Sequence, residues 1–187
     1  MFAKLNSNIL GCLLLALLLI TRASHFGTSA LLPDASIACF FLLGAYSAKA
    51  RWFILALILA VAIDLVVTRL MIVSDYCMSP GYWGLILVYG MVWLIGRRLN
   101  GKEIIKLSSL VIYGTLASTL AFISSNAFWY AFSDKVANMS LANFSHTVSQ
   151  YFVPYLGFSL FYIFAMWICI YLVNYFRQYL FSFKSSH

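Results

Sequence analysis

The sequence predicts an all-α integral membrane protein in which residues 1–187 form a single domain of six transmembrane helices. The 187-residue chain is 64% hydrophobic and only 9% charged, whereas soluble domains average about 45–50% apolar and about 25% charged residues. Its mean hydropathy is +0.93. Its apolar segments are continuous, and several approach the roughly 20 residues that a helix needs to cross the hydrocarbon core. A water-soluble globule is therefore excluded.

Six apolar segments, separated by charged, Pro or polar clusters, give the helices. The second segment is short and opens at Pro33 and Asp34, which are typical of a helix start. None of the segments shows the two-residue alternation of an outer-membrane barrel strand, and they are about twice as long as such a strand. A secretory signal peptide at the N-terminus is an alternative, but Arg22 directly after the first segment is unusual for a cleavage region. The predicted helices cover residues 3–20, 35–48, 52–73, 81–96, 107–125 and 153–174.

The positions of the Lys and Arg residues predict that both termini are cytoplasmic, because positive residues in short loops stay on that side of the membrane. With the N-terminus inside, the inner side carries nine of the 12 basic residues, and the outer side carries Arg22, Arg69 and Lys135. The net charge of +7 then reflects orientation, since no basic cluster lies on a soluble segment that could follow a nucleic acid. The inner residues are Lys4, Lys49, Arg51, Arg97, Arg98, Lys102, Lys106, Arg177 and Lys184.

Three loops face outward in this topology, at residues 21–34, 74–80 and 126–152. An external ligand would first meet the protein here. The third loop is polar enough to be solvated, and we expect it to lie across the outer mouth of the bundle. Aromatic residues crowd the same boundary, where they form an interfacial belt and where a large planar ligand would use some of them.

Asp64 lies a little past the middle of the third predicted helix. An ionised Asp at the centre of a bilayer costs about 2.5–3.5 kcal/mol on insertion scales. Asp64 is therefore either protonated or paired inside the bundle, with Arg22, Thr68 or a Ser as its partner, or it forms the wall of a polar cavity open to the outside. We favour the cavity, because ionisable residues inside membranes usually face the bundle interior or water.

The four cysteines differ in their predicted positions. Cys12, Cys39 and Cys169 lie within apolar helices, where a thiol behaves as a small hydrophobe, whereas Cys77 lies in the second outer loop. A thiolate there is suited to a soft or borderline transition metal. His25, in the first outer loop, is a metal ligand, a hydrogen-bond donor to a ligand or a solvated residue, and taken alone it favours the last interpretation.

Six helices with both ends inside, Asp64, His25, and Cys77 followed by Ser-Pro-Gly-Tyr at residues 79–82 together resemble the BtuM family. These are small cobalamin transporters of Gram-negative bacteria, related to the substrate-binding S-components of energy-coupling factor transporters. The resemblance covers nearly the whole chain and is most specific over residues 64–82. The six-helix pattern alone would also suit S-components for other vitamins.

The resemblance implies an S-component-like bundle in the cytoplasmic (inner) membrane, with a periplasmic cavity that holds cobalamin as the transported ligand. Cys77 is implied to coordinate the cobalt from one axial face, and His25, Asp64 and Tyr82 to line or support the cavity. A thiolate on cobalt can displace the upper ligand of cyanocobalamin, so that cyanide is lost as cobalt is reduced. The family is associated with this decyanation, which makes Cys77 the candidate catalytic residue.

The chain has no Walker A sequence and so does not hydrolyse ATP by that route. Uptake then depends on an energising module of the energy-coupling factor type or on the ligand gradient. Three alternatives stay open: an S-component for another vitamin such as riboflavin or thiamine, which has no use for Cys77; a membrane thiol oxidoreductase using Cys77 with Cys39; and an inner-membrane scaffold protein. The oxidoreductase has little support because no Cys-x-x-Cys occurs.

Overall fold

Apolar helices form the described part of the chain, and no strand occurs in it. The computed structural model describes residues 6–22, 32–70, 80–101 and 105–184, and for residues 70 and 177–184 it describes the backbone alone. The helices are α1 (Ser7–Thr21), α2 (Ser36–Leu42), α3 (Ala50–Leu70), α4 (Gly84–Arg97), α5 (Leu107–Phe132), α6 (Leu141–Ser149) and α7 (Phe152–Lys184). A π-helical turn, Leu43–Ser47, continues α2, and 3-10 turns occupy Pro80–Trp83 and Asp134–Val136. The predicted all-α class is confirmed.

Among the residues that the structure describes, three helices are long and apolar enough to cross a membrane: Ala50–Arg69, Leu107–Phe132 and Phe152–Phe176. Two shorter apolar helices, Ser7–Thr21 and Ser36–Ser47, accompany them. Large apolar side chains also cover much of the outer surface of the bundle, including Ile58 and Leu87, which are 60% and 65% exposed. Such a surface suits lipid and is unfavourable in water.

Two helices extend by several residues beyond their predicted ends. We expected the fifth helix to stop at Ser125, but α5 continues to Phe132. The Ser125 hydroxyl and the Asn126 amide donate to the main-chain oxygen of Phe122 at 3.2 and 2.8 Å. Because these side chains find hydrogen-bond acceptors on the preceding turn, the helix does not end at them. The last helix, predicted to end at residue 174, continues to Lys184.

The predicted third outer loop, 126–152, contains a helix that we did not expect. Ser140 caps the N-terminus of α6, since its hydroxyl accepts a hydrogen bond from the main-chain N–H of Asn143 at 3.3 Å. Phe144 and Val148 are four positions apart and so lie on one face, and Phe144 is buried. The segment is therefore an amphipathic helix packed on the bundle.

Helix α2 lies at the centre of the bundle and contacts α1, α4, α5 and α7. Every residue of α2 is buried. Two glycines allow α2 and its π turn to approach α4 closely: a Cβ atom on Gly44 would collide with the main-chain oxygen of Trp93, and one on Gly96 with that of Phe41. The core of the bundle is thus built on a backbone-to-backbone contact.

Candidate functional site

A buried ion pair joins α1 to α3. The Arg22 guanidinium donates from Nε to Asp64 Oδ1 at 2.8 Å and from Nη2 to Asp64 Oδ2 at 2.6 Å. Both side chains are 0% exposed. Two parallel N–H to oxygen bonds are the strong, geometrically specific form of an arginine–carboxylate contact. Asp64 is therefore paired within the bundle, which was the alternative that we did not favour. It does not form the wall of either chamber described below, as the favoured interpretation required.

The remaining nitrogen of Arg22 connects the pair to α2 and α4. Nη1 donates to the Tyr89 hydroxyl at 2.6 Å and to Ser36 Oγ at 2.9 Å, and it lies 3.3 Å from Asp34 Oδ2. One buried guanidinium thus joins the end of α1, the start of α2, α3 and α4. We counted Arg22 among the outer loop charges and also named it as a possible partner of Asp64. It is buried at the end of α1 and is that partner.

Tyr82 completes the contacts of the Asp64 carboxylate. Its hydroxyl donates to Asp64 Oδ2 at 2.7 Å, and its side chain is 6% exposed. Thr68, another expected partner, donates instead to the main-chain oxygen of Asp64 at 2.7 Å. The structure therefore brings together two of the four predicted site residues, Asp64 and Tyr82, through a direct hydrogen bond.

A cleft with two adjoining chambers lies beside this polar cluster. The large chamber has a volume of about 610 Å³, and the small chamber about 240 Å³. Leu85, Ser125 and Tyr155 line both chambers. The large chamber is also lined by Gly81, Tyr82, Phe122, Asn126, Trp129, Thr147, Val148 and Tyr151, and the small chamber by Pro33, Asp34, Ile37, Val88, Tyr89, Phe158 and Ser159.

Helix α6 forms one wall of the large chamber through Thr147 and Val148. Its buried Phe144 holds it against the end of α5, where the ring centroid lies 5.7 Å from that of Trp129 and 4.7 Å from that of Tyr130. Aromatic pairs at these separations are favourable beyond the area they bury. The segment that we expected to lie across the outer mouth thus contributes directly to the cleft.

His25 and Cys77 lie outside the described residues, so their predicted roles stay predictions. The sequence places Cys77 four residues before Gly81, which lines the large chamber. Four residues of extended chain span at most about 14 Å. Within the described ranges, no group of three or more His, Cys, Asp or Glu side chains is placed to hold a metal ion.

The other three cysteines lie within helices, as expected. Cys12 and Cys169 are exposed on the surface of the bundle, whereas Cys39 is buried. The Cys39 thiol donates to the main-chain oxygen of Leu14 at 3.5 Å and is 0% exposed. Cys39 is thus an interior packing residue.

Sequence reasoning named Arg22 as one possible partner of Asp64, but it did not identify Arg22 as the centre of the cluster, nor Asp34 and Tyr89 as parts of it. The available signal was weak: Arg22 directly follows an apolar helix, and Asp34 was identified only as part of a helix start. Tyr89 interrupts an otherwise apolar segment. What joins these residues is the packing of α1, α2 and α4, which no sequence spacing specifies.

No protein-family model matches the sequence, and no curated protein matches it. The resemblance to the BtuM family therefore rests on the residues quoted above, and the cleft and polar cluster stand on their own geometry.

Proposed function

We propose that this chain is a six-span importer of the bacterial cytoplasmic membrane that binds cobalamin from the periplasmic side. The observation that carries the proposal is the aromatic chamber lined by Gly81 and Tyr82. These two residues directly follow, in the sequence, the predicted loop that contains Cys77. The chamber's volume of about 610 Å³ is within the range of pockets for drug-sized ligands, roughly 300–1,000 Å³. Cobalamin is larger than the two chambers together, so they would enclose only part of it and the rest would lie outside them.

The shape and chemistry of this chamber suit a large planar ligand. Tyr82, Trp129 and Tyr155 present aromatic surfaces to it, and flat rings pack well on such surfaces. The corrin of cobalamin is a broad ring with apolar faces and a rim of amides. The hydrogen bond from Tyr82 to the buried Asp64 fixes the Tyr82 ring before any ligand arrives, which lowers the entropic cost of binding.

In this proposal α1, α2, α4 and the three longer helices all cross the membrane, and both termini are cytoplasmic. The short helices span less than the roughly 30 Å of the hydrocarbon core. The polar groups at their ends are tolerated at that depth because they are satisfied inside the bundle, as Arg22 is by Asp64. With Arg22 removed from the outer set, nine inner basic residues face only Arg69 and Lys135 outside. The charge bias is thus stronger than the sequence alone implied.

The proposed chemistry at cobalt is a ligand exchange followed by a one-electron reduction. The Cys77 thiolate donates an electron pair to cobalt(III) and forms a Co–S bond, while the Co–C bond breaks and cyanide leaves with its electron pair. Cobalt is still in oxidation state III at this point. A low-molecular-weight thiol then supplies one electron per cobalt, so that two such thiols form one disulfide, release two protons and reduce two cobalt ions to cobalt(II).

The energy for uptake comes from outside this chain, since it has no Walker A sequence. An energising module of the energy-coupling factor type, or the ligand gradient combined with trapping in the cytoplasm, would supply it. Import by either route requires the bundle to reorient or to open inward.

A visible absorption spectrum of the protein purified with cyanocobalamin tests this proposal. We expect wild type to show the spectrum of a thiolate-coordinated corrinoid and Cys77→Ala to lack it. Cys12→Ala is the matched control, because Cys12 is exposed on the surface of α1, and it should match wild type. Identical wild-type and Cys77→Ala spectra would contradict cobalt coordination, and absence of any bound corrinoid would contradict the function.

No observation favours the alternative of a thiol oxidoreductase that uses Cys77 with Cys39. The Cys39 thiol is enclosed in the core and bonded to Leu14, whereas a thiol that exchanges disulfides must be accessible. Peptide mass mapping without reductant would reveal a disulfide between Cys39 and Cys77 if this alternative were correct. A planar vitamin such as riboflavin would also fit the cleft, so Cys77, and not the cleft, distinguishes the cobalamin function from an S-component for another vitamin. The scaffold protein gains no specific support from the cleft.

A further inference from the structure

The small chamber differs from the large one because a carboxylate forms part of its wall. Asp34 lines it together with apolar residues such as Ile37, Val88 and Phe158. The Asp34 side chain is 23% exposed, while the Arg22 and Asp64 side chains next to it are 0% exposed. Asp34 is thus the acidic residue of the buried polar cluster that reaches the cleft.

Asp34 is held in place from two sides. Its Oδ1 accepts hydrogen bonds from the main-chain N–H of Ser36 at 2.9 Å and from the Ser36 hydroxyl at 2.5 Å. Its Oδ2 lies 3.3 Å from Nη1 of Arg22. These contacts fix the carboxylate relative to the start of α2, so the acceptor is already positioned when a ligand enters.

The size of the small chamber limits what it can bind. At about 240 Å³ it is too small for a corrin ring, but it lies beside the large chamber, with which it shares the lining residues Leu85, Ser125 and Tyr155. The subsite proposed below requires a ligand whose ring occupies the large chamber to extend one short side chain past these residues into the small chamber. The group at the end of that side chain meets a carboxylate, which accepts hydrogen bonds and repels negative charge.

We propose that the small chamber is a specificity subsite that receives one primary amide side chain from the rim of the corrin, with the amide N–H donating to Asp34. This inference rests on the proposed cobalamin function and adds to it a means of distinguishing cobalamin from derivatives that carry a carboxylate in place of one amide. A side chain that ends in a carboxylate has nearly the same shape but offers no donor at neutral pH. Buried acceptors that are built to bind an N–H strongly reject an analogue that lacks it.

Equilibrium binding of cyanocobalamin and of its monocarboxylic acid derivatives, in each of which one side-chain amide is hydrolysed to a carboxylate, tests the subsite. We expect the wild-type full-length protein to bind one of these derivatives at least about tenfold more weakly than the parent. Asp34→Asn keeps the shape and removes the charge, and it should reduce this ratio to within about threefold. Asp134→Asn is the matched control, because Asp134 is exposed in a 3-10 turn outside both chambers, and it should keep the wild-type ratio.

A second variant keeps the test informative if Asp34→Asn does not fold. Asp34→Glu retains the charge but extends further into the chamber, so it should still reject the acid while binding the parent more weakly. Equal wild-type affinities for the parent and every derivative would overturn the subsite, as would a ratio that Asp34→Asn leaves unchanged. A wild-type protein that binds no corrinoid at all would instead overturn the proposed function.

Discussion

Arg22 carries a positive charge into the bundle, and the neighbouring helices supply the groups that compensate it. Its guanidinium has donors bonded to Asp64, Ser36 and Tyr89. Burying an ion costs several kcal/mol, and attraction to a partner offsets this only when the geometry is good and the other donors are satisfied. Arg22 meets both conditions, so the stability of the cluster depends on keeping all its members.

Removing Arg22 should destabilise the protein strongly. Arg22→Met leaves the Asp64 carboxylate buried without its cation, and we expect the free energy of unfolding to fall by about 3–5 kcal/mol. Chemical denaturation in detergent micelles measures this difference. Arg69→Met is the control, because Arg69 is exposed near the end of α3, and its effect should stay within about 0.5 kcal/mol.

A double variant separates the loss of the pair from the loss of one partner. Arg22→Met combined with Asp64→Leu removes both charges, and it should recover much of the stability lost in Arg22→Met, because replacing both members of a buried pair by apolar residues is often neutral. If the double variant were less stable than Arg22→Met alone, the remaining bonds of Asp64, such as that from Tyr82, would outweigh the cost of burying its unpaired carboxylate.

At the scale of elements, the contact between α2 and α4 is the closest helix approach that the glycines reveal. Gly44 and Gly96 each face a main-chain oxygen of the other helix segment. Main-chain atoms cannot move aside as the end of a flexible side chain can. The separation of the two helices is therefore fixed by the lack of a Cβ atom at these two positions.

Alanine at either of these glycines should be destabilising, whereas alanine at Gly90 should not. We expect Gly44→Ala and Gly96→Ala to lower stability by about 1–3 kcal/mol or to prevent folding, as overpacking does. A Cβ atom on Gly90, also on α4, would meet only Phe53 Cζ at 4.0 Å, and Gly90→Ala should gain up to about 1 kcal/mol because Ala favours a helix. Thermal melting of the three variants in the same detergent measures the change in melting temperature of each. Equal changes for all three would argue against the close contact between α2 and α4.

The elements were predictable from the sequence where burial in lipid or core requires long apolar segments. The predicted cores of α1, α2, α3, α4, α5 and α7 all lie within observed helices. Helix ends were less predictable, since the bonds of Ser125 and Asn126 to Phe122 depend on side-chain choices within one turn. Helix α6 was missed because its polar face made the whole segment look like a solvated loop.

For the whole molecule, the main prediction concerns orientation. In a variant that lacks the native cysteines, a membrane-impermeant maleimide added to intact spheroplasts should label Lys135→Cys, which is exposed just before α6. Arg98→Cys, exposed at the end of α4, should react only after the membrane is permeabilised. The opposite pattern would show an inverted topology, and labelling of both from outside would show that α5 does not span the membrane.

The candidate site was only partly predictable from the sequence. Asp64 was conspicuous because charged residues are rare in this chain, and Tyr82 entered through the resemblance. Their direct hydrogen bond, and the role of Asp34 beside them, follow from how the end of α1, the start of α2, the inner part of α3 and the turn before α4 pack together. Arg22 was a named candidate partner of Asp64, although the positive-inside pattern placed it in a loop.

The separation of Arg22 and Asp64 in the sequence also determines when the ion pair can form during synthesis. Arg22 and Asp64 are 42 residues apart in the chain. At about 5–20 residues per second, the ribosome adds the carboxylate about 2–8 s after the guanidinium. Asp34, whose Oδ2 lies 3.3 Å from Arg22 Nη1, is only 12 residues from Arg22 and is synthesised before Asp64. In the proposed topology the guanidinium would therefore have one carboxylate within reach before α3 is made, and it would gain its bidentate partner only when α3 arrives.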